Sequence, residues 1–157
     1  MAVVIGSQNN NRAVSIPISE QNKILTWLIG KIKSSNIFRN YEINFNDLKS
    51  DKSNACILLL SGSTKSRQYV DGGYDATIPI QFIFRTLGSN TDDTRLNAID
   101  LVNQLGMWLD DNIHYNKEIA GYTIYNVNPE TQATIDYRDE SGTEDASAQF
   151  RISYSRN

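Results

Sequence analysis

Alternation of apolar and polar side chains is clearest in Thr77-Ile-Pro-Ile-Gln-Phe-Ile-Phe-Arg85 and recurs in the run Ala146–Ser155 near the end of the chain. A period of two is that of a strand with one buried face and one solvated face. Each run therefore predicts a long strand in a sheet that is covered on one side only. The predicted inward residues are Ile78, Ile80, Phe82, Phe84, Ala146, Ala148, Phe150, Ile152 and Tyr154, and the predicted outward residues are Thr77, Gln81, Arg85, Ser147, Gln149, Arg151, Ser153 and Ser155. Pro79 has no N–H to donate, so it predicts an edge or a bulge on one side of its strand.

Two segments show helical spacing instead. In the first, Ser19 is placed to cap a helix, with Glu20 in the first turn, where a carboxylate suits the positive helix end. In the second, the run Gly88–Thr94 is the predicted start, with Thr91 as the cap and Asp92 and Asp93 in the first turn. The apolar residues that recur every three or four positions are Ile24, Leu25, Leu28, Ile29 and Ile32, then Leu96, Ile99, Val102, Leu105, Leu109 and Ile113.

Short strands complete the pattern. They are predicted around Tyr41–Phe45, Ala55–Leu60, Arg67–Asp71, Tyr122–Val127 and Ala133–Tyr137. Short turns join consecutive strands, which favours antiparallel pairing. The sequence therefore predicts an α+β fold, with a mainly antiparallel sheet and two helices packed on one face. We expect residues 1–157 to form a single domain, with 1–18 as an N-terminal arm or edge strand. The sequence shows no internal repeat.

Composition restricts the class of protein. The 157 residues carry a formal charge of −3, whereas proteins that bind nucleic-acid backbones usually carry a net basic patch. No apolar run is long enough to span a bilayer, and the first residues do not have the pattern of a signal peptide. The single cysteine, Cys56, lies in an apolar run and predicts a small buried side chain. A reducing cytoplasm is the expected place of folding.

Residues suited to catalysis do not form a recognisable set. His114 is the only histidine and falls at the end of the second helix, where a cation suits the helix dipole. The carboxylates occur as adjacent pairs, and no spacing typical of a calcium, zinc or phosphate site is present. The sequence predicts no catalytic, cofactor-binding or metal-binding residues, and we expect no enzyme activity and no cofactor.

Several runs together resemble a known family. They are Tyr69-Val-Asp-Gly72, the strand ending in Phe82-Ile-Phe-Arg85, and Thr94-Arg-Leu-Asn-Ala-Ile-Asp-Leu-Val-Asn-Gln-Leu-Gly-Met-Trp-Leu109. This order of elements, with Trp108-Leu109 near the helix end, resembles the minor capsid or tail terminator proteins of long-tailed bacteriophages over most of residues 20–155. The resemblance lies in the pattern of elements and a few residue choices, without a sharp motif.

The resemblance implies a structural role. Tail terminators form a ring, here expected to be a hexamer, on the last disc of the tail tube. The ring stops polymerisation and offers the surface that the head joins. The implied partners are further copies of the chain, the tail tube protein and a head-completion or neck protein. DNA would pass through the lumen without specific binding, no membrane would be involved, and the location would be the tail–neck junction of the virion. Three alternatives remain: a neck or head-completion protein, a peptide-binding module that uses a sheet edge, and a small hydrolase.

Two polar loops are the predicted contact or lumen surfaces, since binding residues concentrate on loops. The first comprises Asp71, Gly72, Gly73, Tyr74 and Asp75. The second is the predicted hairpin tip Arg138–Asp145, whose four acidic residues are expected to be exposed and to form a negative collar in a ring. These four are Asp139, Glu140, Glu144 and Asp145.

Overall fold

The computed structural model describes residues 15–88 and 92–157. Within these residues the chain forms two helices and seven strands. In chain order they are α1 (Ile18–Ser34), β1 (Ile43–Phe45), β2 (Asn54–Leu59), β3 (Thr64–Gln68), β4 (Tyr74–Thr86), α2 (Asp92–Asn112), β5 (Tyr122–Pro129), β6 (Thr134–Arg138) and β7 (Glu144–Arg156). Residues 1–14 and the predicted cap Thr91 lie outside the described part, so the predicted N-terminal arm and this cap remain predictions.

The strands form one sheet in the order β1-β2-β4-β7-β5, with β3 beside β4 and β6 beside β7. β1 runs parallel to β2, and the other strand pairs are antiparallel. The predicted α+β class with a mainly antiparallel sheet is confirmed.

β4 and β7 form the centre of the sheet and pair over their whole lengths, from Tyr74 opposite Arg156 to Thr86 opposite Glu144. All nine predicted inward residues of these two strands are buried, as alternation required. Both helices pack on this buried face. In α2, a Cβ on Gly106 would lie 3.1 Å from the Phe150 ring, while α1 contacts the same face through its first turn.

Pro79 shows how the sheet accommodates a residue without an N–H. Its carbonyl accepts a hydrogen bond from the Leu60 N–H at 3.1 Å, on the side of β4 where β2 has ended and β3 has not begun. The two polar groups of one antiparallel residue point to the same neighbour. The Pro79 nitrogen therefore faces this gap in the ladder, as the sequence predicted.

The start of α1 and the inward face of α2 differ from their predictions. α1 begins at Ile18 with Pro17 as its N-cap, and no side chain caps it, so the prediction that Ser19 is the cap is wrong. The Pro17 carbonyl instead accepts hydrogen bonds from the N–H groups of Glu20 and Gln21, both at 3.1 Å. In α2 the predicted inward residue Leu96 is 65% exposed, because the buried side of the helix begins with Ala98.

The structure contains a repeat of strand geometry that the sequence itself does not show. Thr64 pairs with Thr77 and Gln68 with Tyr74, and 70 residues later Thr134 pairs with Ser147 and Arg138 with Glu144. The same offset relates the register shift in β3 to that in β6, and β4 to β7 at both ends. It also relates the positive-φ glycines Gly72 and Gly142. A unit made of a short strand, a hairpin turn and a long strand therefore occurs twice, once as β3–β4 and once as β6–β7.

A local two-fold axis relates the two units, because the equivalent residues Ile80 and Phe150 are opposite each other at the middle of the central ladder. Each hairpin tip precedes the start of its own long strand, and the two strands are antiparallel. At about 3.3 Å per residue, the two tips lie roughly 40 Å apart at opposite ends of the sheet. The two predicted contact loops are therefore far apart.

Candidate functional site

The first predicted loop, Asp71–Asp75, is shorter than predicted. Asp71 Oδ1 accepts a hydrogen bond from the Gly73 N–H at 3.0 Å, and Gly72 has a φ of 94°, which glycine adopts readily. β4 already begins at Tyr74, which is only 3% exposed. The prediction of an exposed loop is therefore wrong for Tyr74 and Asp75, because both pair with the last residues of β7.

The second predicted loop also has a small exposed tip. Asp139 Oδ1 accepts hydrogen bonds from the N–H groups of Ser141 at 3.0 Å and Thr143 at 2.9 Å, which holds the turn closed. Hydrogen bonds from Ser141 and Thr143 lower the pKa of Asp139. Glu140 is exposed at the tip. Of the four predicted acidic residues, these two remain available to a partner.

Glu144 and Asp145 are 2% and 7% exposed, so the prediction that they are exposed is wrong. Both lie in β7, and each is buried beside arginine. Glu144 lies 2.9 Å from Arg95 Nε of α2 and 3.4 Å from Arg138 Nε. Asp145 accepts two hydrogen bonds from Arg85, at 2.7 and 2.9 Å. These cations neutralise the two carboxylates, which therefore add nothing to an acidic collar. The Glu144 pair joins β7 to α2, and the Asp145 pair joins β7 to β4.

Sequence reasoning missed a buried polar cluster at the other end of the sheet. Glu20, predicted only to lie in the first turn of its helix, is 3% exposed. Its carboxylate accepts hydrogen bonds from the hydroxyls of Tyr74 at 2.6 Å, Tyr122 at 2.9 Å and Tyr154 at 2.5 Å. Arg156 Nη1 lies 3.7 Å away. The available signal was the inward position of Tyr154 in an alternating strand, since a buried tyrosine hydroxyl needs a partner.

The hydroxyls of this cluster keep their protons. Burial and the hydrogen bond to Glu20 raise the pKa of Tyr122 to about 12. The same two causes raise the pKa values of Tyr154 and Tyr74. Protonated hydroxyls can only donate to the Glu20 carboxylate, so the cluster is a fixed structural contact between α1 and the sheet.

The face of the sheet opposite the helices carries a second set of polar contacts. At one end Asp75 accepts hydrogen bonds from the hydroxyls of Tyr69 at 2.7 Å and Tyr125 at 3.0 Å. At the other end lies Asp145, the repeat equivalent of Asp75, with Arg85 as its partner. The two units therefore place an aspartate at the same position and give it different partners.

Between these ends lies a polar depression of about 260 Å³. Asp136 accepts hydrogen bonds from the Ser147 hydroxyl and, at 3.2 Å, from Gln81 Nε2. Gln81 also donates to Ser147 at 3.0 Å. This serine has a carboxylate neighbour but no described histidine or lysine base, so the trio lacks the arrangement of a nucleophilic site.

Exposed apolar side chains occur both on the helices, as Ile18, Leu96 and Met107, and near strand ends. Val70, at the tip of the first hairpin, is fully exposed, and its repeat equivalent is the acidic Glu140. The exposed tyrosines on or beside the sheet are Tyr69, Tyr115 and Tyr137. Tyrosine is enriched in protein interfaces because it is apolar in its body and polar at its tip. A further apolar groove of about 310 Å³ separates α2 from the end of β5.

The structure also gives the positions of Cys56 and His114, which the sequence analysis singled out. Cys56 is buried, as predicted, and burial raises the pKa of its thiol to about 11. His114 is exposed, with Nε2 3.1 Å from the Asp111 carbonyl at the end of α2. In residues 15–88 and 92–157, no three residues among histidines, cysteines and carboxylates lie close enough to hold a metal ion. Neither helix in this described part has the length and apolar character needed to cross a membrane.

Comparison of the sequence with protein-family models finds no matching family, and comparison with curated proteins finds no matching relative. Any functional conclusion therefore rests on the geometry of the chain itself and on the resemblance of its element pattern.

Proposed function

We propose that the protein is a structural subunit of a long-tailed bacteriophage. In this proposal it is a tail terminator that assembles as a ring, most simply a hexamer, at the end of the tail tube. The ring stops tube polymerisation and provides the surface to which the head joins. It acts at the tail–neck junction of the virion after assembly in the bacterial cytoplasm.

The observation that carries this proposal is the sheet itself. Helices cover one face, while the opposite face and the edge strands β3 and β6 carry exposed polar and tyrosine side chains. Open edges favour pairing with another chain, and a head-to-tail contact can close a ring. The partners are then other copies of this chain, the tube protein and a neck protein.

A structural role also agrees with the use of the buried carboxylates. Glu20 is held by tyrosines, and Glu144 and Asp145 are held by arginines. An active site usually leaves such groups facing a cleft in which substrate can bind. Here their hydrogen-bonding capacity stabilises contacts between the helices and the sheet and between β4 and β7, which favours a scaffold over a hydrolase.

The separation of the two hairpin tips refines the proposal. Because the tips lie at opposite ends of the sheet, only one of them can face a narrow lumen. The tip with Asp139 and Glu140 is the better candidate, because phosphates are repelled by carboxylates. The tip with Tyr69 and Val70 is then the better contact surface for the tube or the neck.

The functional test is tube capping. Tail tube protein from the same phage genome is polymerised alone or with this protein, and tube lengths are measured by electron microscopy. We expect shorter tubes, each with a ring at one end. Tubes of unchanged length with no density at either end would contradict a terminator, and a ring bound to the portal side of heads would favour the neck protein.

A further inference from the structure

β3 and β6 are equivalent edge strands of the two repeat units. β3 pairs with β4 and β6 with β7, and within the described residues neither strand has a second strand partner. Most of their side chains are exposed. Each edge therefore presents backbone N–H and C=O groups that can pair with another chain.

The two edges differ in charge. The side chains of β3 include Lys65 and Arg67 and no acidic residue. β6 carries the exposed Asp136 and Arg138, and its hairpin tip adds Asp139 and Glu140. The tip that follows β3 adds only Asp71, so the β3 side remains net positive and the β6 side net negative. Equivalent geometry with unlike charge suits a contact between one edge and the other, since opposite charges on facing strands attract and like charges repel.

We infer that copies of this chain join head to tail by pairing the outer edge of β3 in one copy with the outer edge of β6 in the next. This inference rests on the proposed function because it names the surfaces through which the proposed ring would form. The central ladder provides the precedent, since β4 and β7 are also equivalent strands of the two units and pair antiparallel in register. A β3–β6 contact repeats that relation between molecules.

Charge also explains why the contact would not form between two identical edges. Two β3 edges would bring Lys65 and Arg67 of one copy against the same residues of another. A contact of two short strands buries less than the roughly 1,200 Å² of a standard stable interface, so assembly would need high concentration or a template such as the tube.

The test uses two charge reversals in the full-length chain. Arg67→Glu and Asp136→Arg are prepared separately, and the assembled fraction is measured by sedimentation velocity over a concentration series. Each variant alone places like charges at every β3–β6 contact, so we expect assembly to weaken at least about ten-fold. An equimolar mixture should assemble again, because copies that alternate around the ring place opposite charges at every contact.

Three controls keep the outcome clear. Arg39→Glu reverses an exposed arginine that follows α1 and should assemble like the wild type. Asp136→Asn retains hydrogen-bond acceptance for Ser147, so it separates loss of charge from loss of local structure. Thermal melts confirm folding of each variant. Assembly of Arg67→Glu at the wild-type level, or rescue of Arg67→Glu by the wild type instead of by Asp136→Arg, would overturn the β3–β6 contact.

Carbodiimide cross-linking separates this inference from the proposed function. Mixed ¹⁵N-labelled and unlabelled wild-type copies should give intermolecular links between Lys65 and the acidic residues Asp136, Asp139 or Glu140. Such links without any ring would support the edge contact and contradict the tail terminator. Rings without such links would support the ring and contradict the edge contact, and absence of both would contradict both.

Discussion

Glu20 is the residue on which the position of α1 depends most directly. Its buried carboxylate accepts hydrogen bonds from tyrosines at the start of β4, the start of β5 and the end of β7. One side chain in the first turn of α1 therefore joins three strands. The hydroxyls have lost contact with water, so each depends on Glu20 for its hydrogen bond.

We expect Glu20→Ala to lower the free energy of unfolding by at least about 3 kcal/mol, because it leaves buried tyrosine hydroxyls without an acceptor. Glu118→Ala is the matched control. Glu118 also pairs with a cation, Lys31, and accepts a hydrogen bond from Trp27, but its side chain is 52% exposed. Its loss should cost less than about 1 kcal/mol. Urea unfolding measures both, and equal losses would contradict a special role for the buried cluster.

Alkaline pH should weaken the same cluster. The pKa of Tyr122 is raised from 10.0 to about 12 by burial and by Glu20, so in this range the folded protein retains a proton that the unfolded chain releases. Stability from this group is complete below pH 10 and is lost as pH rises toward 12. Urea unfolding midpoints in this window should fall more steeply for wild type than for Tyr122→Phe. Parallel pH profiles would show that Tyr122 does not contribute.

At the scale of elements, the two helices differ in how closely they approach the sheet. A Cβ on Gly106 of α2 would meet the buried Phe150 ring at 3.1 Å and Pro129 Cβ at 3.4 Å, whereas a Cβ on Gly30 of α1 would meet nothing within 4 Å. Both glycines lie in helix interiors, where alanine is intrinsically better by about 1 kcal/mol.

We therefore expect Gly30→Ala to raise the free energy of unfolding by about 0.5–1 kcal/mol. Gly106→Ala should lower it by about 1 kcal/mol or more, because the added methyl forces α2 away from Phe150. The two variants are controls for each other in thermal and urea unfolding. A gain in stability for both would mean that α2 can move away from β7 without cost.

The second hairpin has two carboxylates at its tip, which should tolerate substitution, and two buried carboxylates, which should not. Asp139→Asn with Glu140→Lys keeps an acceptor for the turn and should change the free energy of unfolding by less than about 1 kcal/mol. Glu144→Lys or Asp145→Lys should each cost about 3–5 kcal/mol, because each places a buried cation beside a partly buried arginine. Circular dichroism melts compare them. Normal melting of either buried variant would contradict the ion pairs described here.

Sequence predicted those features that depend on periodicity. Alternation gave the inward faces of β4 and β7, because burial on one side of a strand is a property of every second residue. It did not give Glu144 and Asp145 as buried residues. A run of carboxylates predicts a solvated hairpin tip. Only the structure shows that arginines of α2 and β4 lie beside two of these carboxylates and allow them to be buried. Ser19 was likewise a good cap in isolation, but the helix had already started at Ile18.

At the scale of the whole molecule, the two-fold relation between the units organises the sheet. The sequence does not reveal it, because the equivalent strands β4 and β7 share only Asp75 and Asp145 and the alanine that follows each. What recurs is a hydrogen-bond pattern, such as the Leu60 N–H to Pro79 carbonyl bond and the Glu130 N–H to Gln149 carbonyl bond. Backbone pairing constrains side chains only to alternate, so two units can keep one geometry and diverge in sequence.

The two-fold relation between the repeat units also determines which surfaces are free for assembly. It places two geometrically similar edges on opposite sides of one chain and two hairpin tips at opposite ends. An assembly of such chains would present one tip on each side. In a ring at a tail end, one tip would then face the lumen and the other the tube or the neck, while the edges join neighbouring subunits.

The most direct test of a ring-forming subunit is the state of association of the purified wild-type protein. Sedimentation velocity over a wide concentration range, with negative-stain electron microscopy of the most concentrated sample, measures it. We predict a monomer at low concentration that converts to one closed species with cyclic symmetry and a central opening. A stable two-fold dimer at all concentrations, with no ring at any of them, would contradict the account.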